Sequence, residues 1–224
     1  TDNRFLDVIP AIGATPSRPT RRAVVAGACG AAALAAASGL APLGQGQAFA
    51  SEGARADQVV IYHTNDVHGH LQGDGSSAVG IDYVAALHAS TPNSLLVDAG
   101  DATQGMPVVS LSKGASAIEL MNAAGYDAMC LGNHEFDFGQ EVLLTNAEAA
   151  EFPMLSANVV RTESGDALLA GVGACGDGAT AVLECAGRHI GVFGITTAST
   201  SHSTSPANVE GLQFEDEVET ARRC

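Results

Sequence analysis

Tryptophan is absent from the chain, and Tyr and Phe together number only ten of its 224 residues. The apolar share, 46%, is nonetheless ordinary for a globular protein, so a real core is possible. Basic residues are scarcer still. Four of the ten (Arg4, Arg18, Arg21, Arg22) precede residue 50, which leaves six against 23 acidic residues from Ser51 onward. That balance excludes nucleic-acid binding by counterion release, which needs clustered Lys and Arg. It does not exclude phosphate chemistry, because bound cations can supply the missing positive charge. The plainer alternative is that acidity only keeps an exported protein soluble. No two cysteines have zinc-finger spacing, and residues 51–224 carry no repeat and no low-complexity linker. An initiating Met is also missing, and the chain stops at Cys224 with no evident closing element. A natural start upstream and a truncated or frame-shifted end are therefore expected.

The first fifty residues read as an export signal. Arg21 and Arg22 precede an Ala- and Gly-rich apolar run to about Leu43, and Ala48-Phe49-Ala50 forms a cleavage motif. Paired arginines after a long polar lead fit the twin-arginine route, with an ordinary Sec signal as the alternative. Cys29 belongs to the discarded peptide, and no stable membrane span is expected after its removal. The expected location is periplasm, cell surface or medium. Export permits disulfides, and Cys175 and Cys185 flank a Gly-rich turn region across which they could pair. Cys130 reads as a buried thiol in an apolar strand.

The remaining chain alternates strand and helix. Strands are expected at 58–62, 94–97, 127–131 and 154–160, the first of them buried. Helices are expected at 78–89 (Val79, Tyr83, Ala86 and Leu87 as the apolar set), at 116–124 with Gly125 as its stop, and at 140–151 before Pro153. This order predicts an α/β fold with a parallel sheet. Beyond Arg161, segments 181–185 and 189–195 suggest a hairpin, and 214–223 a further helix.

Each of the first three strands is followed by a polar cluster. These are His63-Thr-Asn-Asp66-Val-His68-Gly-His70, Asp98-Ala-Gly-Asp101-Ala-Thr-Gln104-Gly105 and Gly132-Asn133-His134-Glu135-Phe-Asp137-Phe-Gly139. In an open α/β sheet the C-terminal strand ends meet at one crevice. Carboxylates, an amide oxygen and imidazoles gathered there are the donors for a pair of divalent cations of the Mn, Fe or Zn kind. One Asp can bridge two ions about 3.5–4 Å apart, which together polarise a phosphoryl group and acidify a water. Taken singly, each residue has a plainer role. Asp66 could cap a turn, Asn133 could occupy a left-handed turn, and His134 could be a satisfied loop histidine. His88 reads as a solvated helix face, His189 as a strand residue and His202 as a polar loop residue. Gln104 could merely shape its loop, and His63 and His70 need not ligate.

Asp-x-His, Gly-Asp and Gly-Asn-His-Glu in this order resemble the calcineurin-like metallophosphoesterase superfamily. Within it, the three clusters and Ile195-Thr-Thr197 are similar to the bacterial 5'-nucleotidase/UDP-sugar hydrolase branch, over about residues 58–200. The sister 2',3'-cyclic phosphodiesterases usually have a different first cluster and Asn in place of Asp137. The resemblance implies the N-terminal part of an α/β–β/α sandwich, incomplete here, and two divalent ions (Mn, Zn or Co). It implies Asp66 and His68 as ligands of the first metal, Asp101 as the bridge, and Asn133 as ligand of the second. His134 would stabilise the transition state or protonate the leaving oxygen, oriented by Asp137. The implied substrate is a nucleoside 5'-monophosphate, with UDP-sugars as a further candidate.

Three elements that the resemblance implies are not found in this sequence. No His follows the Thr-Thr segment in the expected context, no later Gly-His-x-His loop appears, and the base-stacking C-terminal domain is absent. A weakly active or inactive piece, completed by a missing C-terminal half, is therefore the expectation. The rival readings are a non-catalytic metal-binding or surface protein and a cyclic-nucleotide phosphodiesterase relative.

Overall fold

The computed structural model describes residues 58–73 and 79–224. The expected signal segment, residues 1–50, lies outside them. Among the described residues no helix is long and apolar enough to cross a membrane.

Four parallel strands form the central sheet in the order β1 (Val60–Thr64), β2 (Ser94–Asp98), β3 (Ala128–Cys130), β4 (Met154–Leu155). The helices α1 (Ile81–Ser90), α2 (Pro107–Leu111), α3 (Ala115–Ala124) and α4 (Gln140–Ala149) make the intervening crossovers. In α3, Ala117, Ile118 and Met121 face inward at helical spacing, and Gly125 ends the helix in the left-handed region at φ 80°. Burying Ile118 and Met121 contributes about 1.5–3 kcal/mol each. They join Leu96, Met129, Leu131, Phe136, Leu143 and Met154 in one apolar core.

Three expectations for this half need correction. Strand β1 is not buried: it has a single neighbour among the described residues, alternates inward and outward, and leaves Ile61 57% exposed. Helix α1 does not bury the set chosen from its sequence, since Val79 and Tyr83 are exposed while Ile81 and His88 are buried. His88 is thus no solvated face. It is 6% exposed, and its Nδ1 lies 2.9 Å from Ser94 Oγ.

The expected strand 154–160 is two strands in two sheets. Ser156 N–H donates to the Gly178 carbonyl and Ala157 N–H to that of Gly194, which turns the chain out of the first sheet. It resumes as β5 (Val159–Arg161), antiparallel to β8 (Leu212–Phe214). The hairpin is present as β6 (Thr180–Cys185) and β7 (Arg188–Phe193). His189 lies in β7, whereas His202 belongs to a short helix, α5 (Thr200–Ser203). The last helix, α6 (Glu217–Arg223), begins later than expected because Asp216 caps Val218 and Glu219 N–H, and Phe214 is taken up by β8. Cys175 and Cys185 are buried free thiols, not a disulfide. Cys130 is half-buried and donates its thiol to the Ile195 carbonyl, and burial pushes its pKa up to about 12.

Candidate metal centre

Because β1, β2 and β3 are parallel and aligned (Thr64 beside Asp98, Asp98 beside Met129), their following loops emerge at one edge. Backbone rungs continue past the strands. Asp66 N–H donates to the Gly100 carbonyl and His68 N–H to that of Asp101, each at 3.0 Å. The second and third loops approach so closely that a Cβ on Gly100 would sit 2.4 Å from Gly132 N, and Gly100 has φ +111°. Only glycine fits there.

The centre is locally strained. Asp66, His68 and Asp101 have φ of 52°, 46° and 62°, in the left-handed region. Each such non-glycine residue costs on the order of 1–3 kcal/mol and persists only when its surroundings over-determine it. The rungs just named supply that constraint. Asn133 behaves differently: with φ −75° it lies in the right-handed region and opens the 3-10 turn His134–Phe136, so the left-handed alternative is excluded.

One ligand atom each from His68, Asp101 and His134 falls within a 4.8 Å cluster. Asp66 is adjacent, with Oδ1 3.9 Å from His68 Nε2, and its other oxygen accepts from Asn65 Nδ2. The ring tautomers follow from the partners. His68 Nδ1 faces the Gln104 carbonyl at 3.2 Å, and His134 Nδ1 faces Asp137 Oδ2 at 2.6 Å. A carbonyl and a carboxylate only accept, so both Nδ1 atoms carry protons and both Nε2 lone pairs remain available. This is the arrangement found behind metal-ligating histidines. The donor set therefore fits a divalent cation. Gln104 does more than shape a loop, since its backbone carbonyl orients His68.

His134 N–H also donates to Asp101 Oδ1 at 2.9 Å, which couples the second and third clusters. Partial burial pulls the His134 pKa down. The Asp137 hydrogen bond and charge, with the Asp101 and Glu135 carboxylates, outweigh it and leave the pKa above the usual value.

Three residues matter here whose roles sequence reasoning did not assign. Glu135 is 3% exposed. Its Oε2 accepts from Asp101 and Gly132 N–H, and its Oε1 from Ala102 N–H, Thr103 N–H and the Thr103 hydroxyl. One buried carboxylate thus fastens the Asp101 loop to the Gly132 loop. Burial raises its pKa against those bonds. Its signal was visible as the fourth letter of Gly-Asn-His-Glu, but nothing in the spacing showed whether it faced the metals or the backbone. Asp98 is also buried, accepts from the Thr64 hydroxyl and Gly100 N–H, and is pushed up to about 7 chiefly by desolvation. Thr196, from the Ile-Thr-Thr segment, is fully buried and donates to the Leu131 carbonyl, tying that segment to the end of β3.

A parallel-sheet edge that presents carboxylates and Nδ1-anchored imidazoles makes a candidate site for a divalent cation. Residues 59–221 match the calcineurin-like phosphoesterase family. The chain is 36% identical over 183 residues to a probable 5'-nucleotidase of Treponema pallidum, covering 75% of this chain and 30% of that protein. It is 36% identical over 180 residues to the 5'-nucleotidase of Homo sapiens, covering 74% and 30%. Among solved structures, a 5'-nucleotidase precursor from Thermus thermophilus superposes with a TM-score of 0.60 at 31% identity, covering 74% of this chain and 33% of that one. The NAD nucleotidase of Haemophilus influenzae gives 0.61 at 30% identity, covering 74% and 31%. The chain belongs to the calcineurin-like phosphoesterase family, whose members are metal-dependent hydrolases of phosphoesters. It spans about a third of the length of these relatives.

Proposed function

We propose that this chain is the metal-binding part of an exported phosphohydrolase that releases phosphate from nucleoside 5'-monophosphates. The observation that carries the reading is the convergence of the His68 and Asp101 donors with the His134 imidazole within 4.8 Å, the latter paired with Asp137 at 2.6 Å. The nucleotidase relatives support the substrate class, and the paired arginines and Ala-x-Ala motif support export. Asp66 and His68 would hold one ion, Asp101 would bridge, and Asn133 would serve the second. Bound divalent cations supply neutralisation of phosphoryl charge and a more acidic water. The chain's own part is orientation and proton handling. Asp137 fixes the proton at His134 Nδ1, so Nε2 is the atom that faces the phosphoryl group and, once protonated, can donate to the leaving oxygen. Asn133 precedes that imidazole directly and would touch the phosphate.

Titrating the chain with Mn, Zn or Co should raise its Tm, and Asp101→Asn should abolish the rise. Phosphate release from AMP and UDP-glucose, with these ions present, should fall about 10²–10⁴-fold in His134→Ala, the usual share of a general acid. Ion binding without phosphate release would match a metal-binding part whose activity needs the rest of the longer enzyme, as the coverage of about a third of its relatives implies. A folded chain that neither binds these ions nor releases phosphate would overturn the proposal.

A further inference from the structure

The His134–Asp137 pair is itself held from a distant part of the chain. Thr204, 9% exposed and just beyond α5, donates its hydroxyl to Asp137 Oδ1 at 3.0 Å, leaving Oδ2 for His134 Nδ1. Asn208 donates its side-chain amide to the Asp137 main-chain carbonyl at 2.9 Å. Rotation of a carboxylate about its last torsion is broad and roughly two-fold, so a hydrogen bond to Nδ1 alone leaves its plane poorly defined. A second bond on the other oxygen removes that freedom. Asp137 is therefore clamped on one oxygen by Thr204 and at its backbone by Asn208, and only the second oxygen faces the imidazole.

We propose that Thr204 is a positioning residue for the reaction: by holding Asp137 it fixes the ring orientation and tautomer in which His134 presents Nε2 to the phosphoryl site. This rests on the role given to His134 under the proposed function. A purely structural Thr204 would stabilise the 204–208 segment and leave the state of the His134 ring unchanged.

The test reads the ring directly. In the full chain with chelator present, nitrogen-15 NMR of His134 should show a proton held at Nδ1 and slow to exchange, unchanged in Thr204→Ser. In Thr204→Val that proton should exchange at least about tenfold faster, with the Nε2–H tautomer now populated, as expected for loss of one hydrogen bond to a charged group. Where phosphate release is measurable, kcat should fall about tenfold in Thr204→Val with KM within about twofold, and Thr204→Ser should restore it. If Thr204→Val does not fold, Thr204→Ala carries the same comparison. A folded Val or Ala variant with the wild-type Nδ1–H signal would overturn the inference. Failure of the wild-type chain to bind metal or release phosphate would instead count against the proposed function and leave the ring measurement standing.

Discussion

Glu135→Gln replaces one carboxylate oxygen with an NH₂ group where every neighbour is already a donor. With the amide oxygen at the Oε1 site, the NH₂ confronts Asp101 and Gly132 N–H; with the oxygen at the Oε2 site, it confronts Ala102 and Thr103 N–H. The Thr103 hydroxyl can turn to accept, but backbone N–H groups cannot. Either rotamer thus orphans two buried donors, at about 1–3 kcal/mol each. Relief of the buried charge offsets part of this, since burial already disfavours the carboxylate. The expected net loss is ~2–4 kcal/mol, a large share of the 5–15 kcal/mol that typically holds a domain. Urea unfolding of the metal-free chain, followed by circular dichroism, should show a lower midpoint with an unchanged slope. Thermal unfolding should fall by roughly 5–15 °C. A variant within about 0.5 kcal/mol of wild type would refute the reasoning, because the two loops would then not depend on this carboxylate.

Asp98 gives a pH-dependent prediction. Its folded pKa, about 7, lies above the ordinary value of 3.8, so between these values the folded state keeps a proton that the unfolded state has released. Stability contributed by this group therefore falls as pH rises from about 4 through 7, by at most ~4 kcal/mol at about 1.4 kcal/mol per unit. In chelator, Asp98→Asn should be more stable than wild type at pH 8, and the two should converge near pH 4; a difference independent of pH would contradict the desolvation argument. Thr200 carries the one buried side-chain polar atom without a partner among the described residues. Thr200→Val keeps the shape and removes the desolvated hydroxyl, so the urea midpoint should rise by the equivalent of ~1 kcal/mol, whereas a clear loss would mean the hydroxyl is bonded in solution.

The frame of the site was legible because it rests on local signals. Gly125 stops α3 where expected, α4 starts at Gln140, and each polar cluster does follow a parallel strand. Legibility failed where neighbours decide. The apolar run of β1 could not reveal that it would have one partner strand and an exposed face. Residues 154–160 carry an unbroken strand pattern, and only the carbonyls of Gly178 and Gly194 redirect Ser156 and Ala157. His88 looked polar and solvated until Ser94, at the head of β2, gave it a buried partner. Thr204 and Asn208 had no local signal, since they reach Asp137 across 67 and 71 residues of chain. Glu135 was legible as a motif letter and illegible as a role, because an acid in a metal-site motif reads the same whether it grips a cation or the backbone.

The left-handed backbone at Asp66, His68 and Asp101 sets stability and chemistry against each other at the same three positions. Glycine, and to a lesser degree Asn, would relax each of them, yet glycine would remove a donor, and Asn would remove the charge of Asp66 or Asp101 and the imidazole nitrogen of His68. A population of variants selected for heat resistance alone would therefore drift away from the cation site, while selection for turnover would hold these residues in place against a constant conformational penalty. Directed improvement of this scaffold has to find its stability elsewhere, at sites such as Thr200, and leave the three strained positions untouched.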